Sequence, residues 1–198
     1  MQLYVAGPSP FVRKVRVVLR ETGQEGDVTE VSVTASPTGT GPEIASVNPL
    51  GKIPALGRED GPAIYDSRVI CRYLDDRATA GLYPQARLYE TLTLEATADG
   101  IMEAAVLMVY QARFGEGPQA WIDAQWDKVG RALDAIEQRW MSHLEGPLDA
   151  AQIAVGCALG YLDFRHPQRG WRDGRLALGE WEARFAERPS MKATAPEG

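Results

Sequence analysis

Cysteine and histidine are scarce in this chain, with two of each among 198 residues. Cys71 and Cys157 lie far apart, each inside an apolar helical pattern. A disulfide framework is therefore not expected, and buried thiols in a reducing compartment are. His143 and His166 have no Cys or His neighbour at ligand spacing, so no metal centre is expected. No apolar run approaches the roughly eighteen residues of a membrane-spanning helix, and a membrane partner is not expected. Nor does a basic stretch followed by an apolar one precede the strand-like start at Gln2, so the reading is a cytoplasmic protein. An excess of positive charge is also missing. The net charge of −6 argues against a nucleic-acid partner held by phosphate contacts. Arg13, Lys14, Arg16 and Arg20 fall close together, but they read as one solvated helix face.

What is present is the balance of an ordinary globule, 44% hydrophobic and 24% charged, with length for one large domain or two small ones. The first eighty or so residues alternate short β runs with helical runs. Leu3-Tyr4-Val5 reads as a buried strand ended by Gly7-Pro8. From Pro10, the residues Val12, Val15, Val18 and Leu19 share a helix face, with Gly23 as a C-cap. Val28, Val31 and Val33 mark a second strand, and Ser36 to Pro42 a loop before a short helical turn at Ile44. Asn48-Pro49-Leu50-Gly51 is a turn, and Asp60-Gly61 a hairpin signal between Lys52–Leu56 and Ala63–Tyr65. A helix with Val69, Ile70, Tyr73 and Leu74 on its apolar face follows. The order β-α-β, loop, β-β-α predicts a mixed sheet flanked by helices.

Beyond Pro84 no strand signal survives, and Gly81–Pro84 reads as the linker. Ile122, Trp126, Val129, Leu133, Ile136 and Trp140 lay one stripe along a bundle helix. Gly100, inside another helical run, predicts a close helix contact or a bend. Residues after Pro189 read as a frayed end.

Three local signals carry chemistry. Ser9-Pro10-Phe11 at the first strand–helix junction is a good N-cap, and it also sets a hydroxyl and free N–H groups at the positive end of a helix dipole, where an anion such as a thiolate is stabilised. Ile53-Pro54 interrupts a strand. It is either an ordinary trans edge proline or a cis bond that turns the Ile53 backbone outward to pair with an extended peptide. Asp66-Ser67 opens a helix. Asp66 is an N-cap, or the pair recognises an α-amino-acid group, Ser67 taking the carboxylate and Asp66 the ammonium.

In order and spacing, Ser9-Pro-Phe-Val-Arg-Lys-Val, Asn48-Pro-Leu-Gly-Lys-Ile-Pro-Ala-Leu and Tyr65-Asp-Ser-Arg-Val-Ile resemble the three signatures of the soluble glutathione transferase superfamily. Ala98-Asp-Gly-Ile-Met resembles the first helix of that family's second domain, and Gly160-Tyr-Leu-Asp-Phe-Arg a phrase of its bacterial members. Leu148-Asp-Ala-Ala-Gln-Ile-Ala is similar to its folding motif, with Asp149 and Gln152 in place of the usual Ser or Thr and Asp, still a capping box. The resemblance implies an α/β domain of thioredoxin-like fold over 1–80, binding glutathione, and an all-helical bundle domain over 85–198.

It further implies that Ser9 hydrogen-bonds the glutathione sulfur, that the Ile53 backbone before Pro54 pairs with the cysteinyl part, and that Asp66 and Ser67 hold the γ-glutamyl end. Lys52 is implied at the glycine carboxylate. The basic residue many members carry before the Asn-Pro turn is missing between Thr34 and Val47, which leaves Arg13 or a second subunit as alternatives. A small hydrophobic electrophile would meet Phe11 and, between the domains, Met108, Tyr110, Arg113 and Phe114, although core and surface roles remain open for each. The expected activity is conjugation or peroxide reduction by a serine-type, homodimeric enzyme of detoxification, using glutathione as co-substrate and no metal. Thiol transfer needs a cysteine near residue 9, and none is there. Rival readings are a non-catalytic regulatory relative of the stringent-starvation type, and a specialised glutathione-dependent isomerase, dehalogenase or ether-cleaving lyase.

Overall fold

In the computed structural model, residues 1–36, 38–115 and 118–196 are described. The chain divides into two compact units, one formed by Met1–Tyr83 with the segment from Ala193, the other by Pro84–Lys192.

The first unit contains, in order, β1 (Gln2–Val5), α1 (Pro10–Glu21), β2 (Thr29–Ser32), β3 (Ala35–Ser36), β4 (Gly39–Thr40), α2 (Pro42–Val47), β5 (Ala55–Gly57) and α3 (Ser67–Ala78). β1 is the central strand of a sheet ordered β2-β1-β5, parallel to β2 and antiparallel to β5, with Tyr4 opposite both Val31 and Ala55. A mixed sheet of this order needs a helical crossover between its parallel strands, and α1 supplies it. Leu3 and Val5 from β1, Val12, Val15, Val18 and Leu19 from α1, Leu56 from β5, and Ile70 and Leu74 from α3 form the core, each buried apolar side chain contributing about 1.5–3 kcal/mol. Helix α1 ends where Gly23 takes φ +68° and the Gln24 N–H donates to the Leu19 carbonyl, a left-handed closure that costs glycine little.

Several details differ from the sequence reading. The loop before α2 contains the small ribbon β3–β4. The hairpin around Asp60-Gly61 shrinks to a single antiparallel bridge, Leu56 to Ile64, closed by two 2.9 Å hydrogen bonds. Lys52–Pro54 stays outside the strand, because a proline has no N–H for the ladder. The basic residues of α1 are not a solvated face. Lys14 is 1% exposed and Arg13 is buried as well, while Arg16 pairs with Glu30 at 2.6 Å. α3 packs against α1, and eight of the helix's twelve residues are buried. Gly81–Pro84 is likewise tied down: Leu82 and Tyr83 are buried, and their N–H groups donate to the two Asp75 carboxylate oxygens at 2.7 and 3.2 Å.

The second unit is helical: α4 (Leu88–Phe114), α5 (Gln119–Arg139), α6 (Met141–Leu144), α7 (Ala150–Arg165), α8 (Leu176–Phe185) and α9 (Pro189–Lys192). Residues 150–159 of α7 are buried on every side, as befits the central helix of a bundle. α4 and α7 run parallel, since Thr91 meets Asp149 at their starts and the Ala105 carbonyl meets His166 further along. The capping box is complete. Asp149 accepts from the Ala151 and Gln152 N–H groups at 3.1 and 3.2 Å, and Gln152 Oε1 accepts from the Asp149 N–H at 3.0 Å. In α5 the anticipated stripe is present, with Val129, Leu133 and Ile136 buried and Ile122, Trp126 and Trp140 half-buried.

Of the two readings of Gly100, the close contact is absent, since nothing among the described residues lies near the place of its Cβ. The end of the chain is not frayed through its described length, because Ser190, Met191 and Thr194 are buried. Met191 Cε lies 3.2 Å from where a Gly156 Cβ would stand, so the small residue in α7 makes room for it. No helix among the described residues is long and apolar enough to cross a membrane, and no group of three metal-ligating side chains gathers among them.

Candidate functional site

Strand register brings the three chemical signals to one end of the first unit's sheet. Tyr4 of β1 faces Ala55 of β5, so the chain leaving β1 toward Ser9 and the chain entering β5 through Ile53-Pro54 emerge side by side. Ile64 faces Leu56 in the antiparallel sense, which carries Asp66 and Ser67 back to that same end. α1 and α3 therefore both begin there.

Ser9 is the N-cap of α1, with Pro10 at the first helical position. Its hydroxyl oxygen accepts from the Val12 N–H at 3.3 Å. That bond uses a lone pair and leaves the hydroxyl proton to be donated elsewhere. Capping and chemistry are therefore compatible at this residue.

Ile53-Pro54 is a cis peptide, and Tyr65-Asp66 is a second cis bond. Among the described residues neither the Ile53 N–H nor its carbonyl has a hydrogen-bond partner, and Ile53 is half-buried. The segment before it is held by Asn48. Its side chain donates to the Lys52 carbonyl at 2.7 Å and accepts from the Leu50 N–H at 3.0 Å. Gly51 completes this loop at φ +63°, where a Cβ would fall 2.5 Å from Thr40 Oγ1. Lys52 itself is exposed. The sequence shows Asn48 as part of a turn but does not show that its buried amide (2% exposed) positions the Lys52-Ile53 backbone.

Asp66 caps α3 by accepting from the Arg68 N–H at 3.0 Å, and its other oxygen lies 2.8 Å from the Arg68 guanidinium. Burial alone pushes the Asp66 carboxyl up. The hydrogen bonds from Arg68 and the charges of Arg68 and Lys14 outweigh it and hold the carboxyl below its ordinary value. Asp66 therefore stays ionised, and because the Arg68 pair is half exposed on both sides it exchanges cheaply for another cation. Ser67 is buried at the first turn of α3, and among the described residues its hydroxyl has no hydrogen-bond partner.

The remaining named residues divide between the units. Phe11 follows Ser9 in α1 and is half-buried. Tyr110, Arg113 and Phe114 lie in the last turn and a half of α4, Tyr110 half-buried and the other two exposed, with the Tyr110 and Phe114 rings 6.3 Å apart. Met108 is buried in the core of its unit. Arg13 is buried within α1, which leaves Lys52 as the exposed cation of the Asn48 loop.

Comparison with known proteins agrees with this architecture. The family described as glutathione S-transferase, N-terminal domain, matches residues 8–77, and that described as glutathione S-transferase, C-terminal domain, matches residues 119–184. A glutathione transferase family member from Pseudomonas fluorescens Pf-5, solved with bound glutathione, is 42% identical, superposes with a TM-score of 0.96, and aligns over 100% of this chain and 99% of its own. A second structure of a P. fluorescens Pf-5 family member, with bound S-(propanoic acid)-glutathione, is 43% identical with a TM-score of 0.91 and full coverage of both chains. The uncharacterized GST-like protein YibF of Escherichia coli (strain K12) is 32% identical over 204 residues, covering 99% of this chain and 98% of YibF. With a thioredoxin-like first unit, a helical second unit and matches across nearly its whole length, the chain belongs to the glutathione S-transferase family.

Proposed function

We propose that this protein is a serine-type glutathione transferase, in which Ser9 activates the glutathione thiol for attack on a small electrophile. The observation that carries the reading is the convergence at one sheet end of donors and acceptors with nothing else to bind: the Ser9 proton, the Ile53 N–H and carbonyl, and the Ser67 hydroxyl. Their order along that edge suits an extended γ-glutamyl tripeptide. Ser67 and the first-turn N–H groups of α3 take its α-carboxylate, Asp66 takes its ammonium, the Ile53 backbone pairs with the cysteinyl residue, and Lys52 reaches the glycine carboxylate. The relatives solved with glutathione and with a glutathione thioether support a site for this tripeptide and its conjugates.

Magnitudes favour activation without a general base. A free thiol titrates at about 8.5, and lowering that by two units requires a preference of about 2.7 kcal/mol for the thiolate. A hydrogen bond to a charged acceptor contributes about 1.5–3 kcal/mol, and the N-terminus of α1 about 0.3–1 more. The glutathione thiol releases its proton to solvent, while Ser9 keeps its own and donates it as a hydrogen bond to the thiolate. The sulfur lone pair forms the new bond to the electrophilic carbon while the leaving group departs with its own electron pair. Phe11, Tyr110, Arg113 and Phe114 are assigned to the electrophile. The enzyme is assigned to the cytoplasm, as a homodimer with a role in detoxification.

Calorimetric titration with glutathione tests the reading. Micromolar to millimolar binding, weakened about tenfold or more in Ser67→Ala, is the expected result. Absence of binding at millimolar glutathione would leave the fold in place and turn the assignment to a non-catalytic interaction protein.

A further inference from the structure

Where the end of α6 and the start of α7 meet α8, the second unit holds a cavity of about 230 Å³. Every residue that lines it belongs to that unit. Its base is made of buried side chains, namely Leu144, Gln152, Trp181 and Phe185. The Trp181 and Phe185 rings stack at 4.6 Å, and Phe185 is seated against Gly156.

The polar groups of that base are already engaged. Gln152 Nε2 donates to the Leu144 and Gly146 carbonyls at 2.9 and 3.0 Å, and its Oε1 accepts from the Asp149 N–H at 3.0 Å. Trp181 Nε1 donates to the same Leu144 carbonyl at 2.9 Å. These bonds fix the shape of the cavity and leave the charged side chains that line it to meet a ligand. They are Arg184 and Arg188, four residues apart, and Glu145. The turn carrying the two arginines is closed by the Glu187 N–H on the Arg184 carbonyl and the Arg188 N–H on the Phe185 carbonyl.

Arg184 pairs with Glu145, and the two side chains are 58% and 56% exposed. An ion pair so open to water contributes little, so a carboxylate brought in by a ligand replaces Glu145 at small cost. The planar guanidinium fork suits that exchange. The Arg188 guanidinium lies over the Phe185 ring at 5.5 Å, and Leu148 adds a half-buried apolar wall. The volume falls below the roughly 300–1,000 Å³ of pockets for drug-sized ligands and suits a single ring or a short chain.

We propose that this cavity is a binding site for a small organic monocarboxylate. Arg184 and Arg188 take the carboxylate, while Phe185 and Leu148 meet the apolar body. The guanidiniums favour an anion over a neutral molecule, and the apolar wall favours an organic acid over an inorganic one. The site goes beyond the transferase reading and stands independently of it, since none of its residues is assigned to glutathione or to thiol activation.

Benzoate is the probe, with benzamide as its neutral counterpart and inorganic phosphate as the bare anion, each titrated calorimetrically into the full-length protein. Saturable benzoate binding is expected at millimolar concentration or below, about tenfold tighter than either comparison ligand. Arg184→Met should lower benzoate affinity about tenfold, and Glu145→Gln should raise it, because the competing carboxylate is gone. Both residues are exposed, so neither substitution endangers folding. Benzoate affinity should stay unchanged in Ser67→Ala, which alters the site assigned to glutathione. Failure of benzoate to bind, equal binding of benzamide or phosphate, or an affinity unmoved by Arg184→Met overturns the site. A weaker affinity in Glu145→Gln does the same. Binding lost in Ser67→Ala would put benzoate in the glutathione site and also overturn the proposal.

Discussion

Ser9 and Val12 are joined by a hydrogen bond in which the hydroxyl oxygen is the acceptor, 3.3 Å from the Val12 nitrogen. The geometry assigns the oxygen to the helix and leaves the proton for a ligand. The two roles can be separated, because glycine at an N-cap costs only a few tenths of a kcal/mol whereas alanine costs about 0.5–2. Ser9→Gly should therefore keep nearly wild-type thermal stability and lose about 10–100-fold in kcat/KM, the loss of one hydrogen bond to a charged sulfur. The apparent thiol pKa from the pH–rate profile should rise in Ser9→Gly and in Ser9→Ala alike. An unmoved profile would remove Ser9 from thiol activation.

Asp149 joins several elements of the helical unit. Besides capping α7 it lies 3.1 Å from Thr91 Oγ1, 2.7 Å from His143 Nε2 and 3.3 Å from the Arg87 guanidinium, while fully buried. Removing it strands the buried Thr91 hydroxyl and takes the carboxylate from His143 and Arg87. Asp149→Ala should lose about 3–5 kcal/mol in urea unfolding, the scale for breaking a buried ion pair from one side. A loss below about 1 kcal/mol would mean that the capping box alone, without its outer partners, sets the contribution.

Gly156 is a packing glycine. A Cβ there would stand 2.6 Å from Phe185 Cδ1, so Gly156→Ala must displace a ring that stacks on Trp181 at 4.6 Å. Overpacking of this kind costs about 1–3 kcal/mol, against about 1 kcal/mol gained in helix propensity. A second change, Phe185→Leu, opens the space. The double variant should be less destabilised than the two single losses summed, and strict additivity in denaturant midpoints would exclude the contact as the cause.

His166 is buried with Nε2 3.0 Å from the Ala105 carbonyl. Burial pushes its pKa down, the Ala105 carbonyl opposes that, and the charges of Arg169 and Arg165 add to the lowering. A histidine whose folded value is depressed binds fewer protons folded than unfolded, so stability rises with pH across the interval between the two values. Its contribution is complete above the unfolded value of about 6.5 and shrinks as pH falls below it. Thermal unfolding should show this decline, and His166→Gln should flatten it. An equally steep decline in the variant would assign the effect to other groups.

The first unit was readable because its signals are local. Ser9-Pro10, Gly23, the Asn48 turn and Asp66 each state a cap or turn within four residues, and apolar spacing marks the helix faces. The reading failed where burial comes from distant segments. Lys14 and Arg13 look solvated by composition, yet both are buried in the fold. Tyr83 and Met191 lie in stretches that look like linker and tail, and both are buried. The grouping at the ends of α4 and α7 was half legible: Arg113 stood out beside Tyr110 and Phe114, but Arg165 and Tyr161 lie some fifty residues away and come near them only through helix packing.

By itself the sequence determined the two-part order of elements, the helix starts and the residue types available for binding a tripeptide, since capping, turn chemistry and periodicity act over one or two turns of chain. Tertiary structure decided which of those groups meet. Register along β1 and β5 placed Ser9, Ile53 and Ser67 at one end of a sheet, and a one-residue slip would have turned their neighbours to the opposite face. It also decided which polar groups are already spent and which remain open to a ligand. That distinction follows from burial and hydrogen bonding across the fold, which no single segment contains.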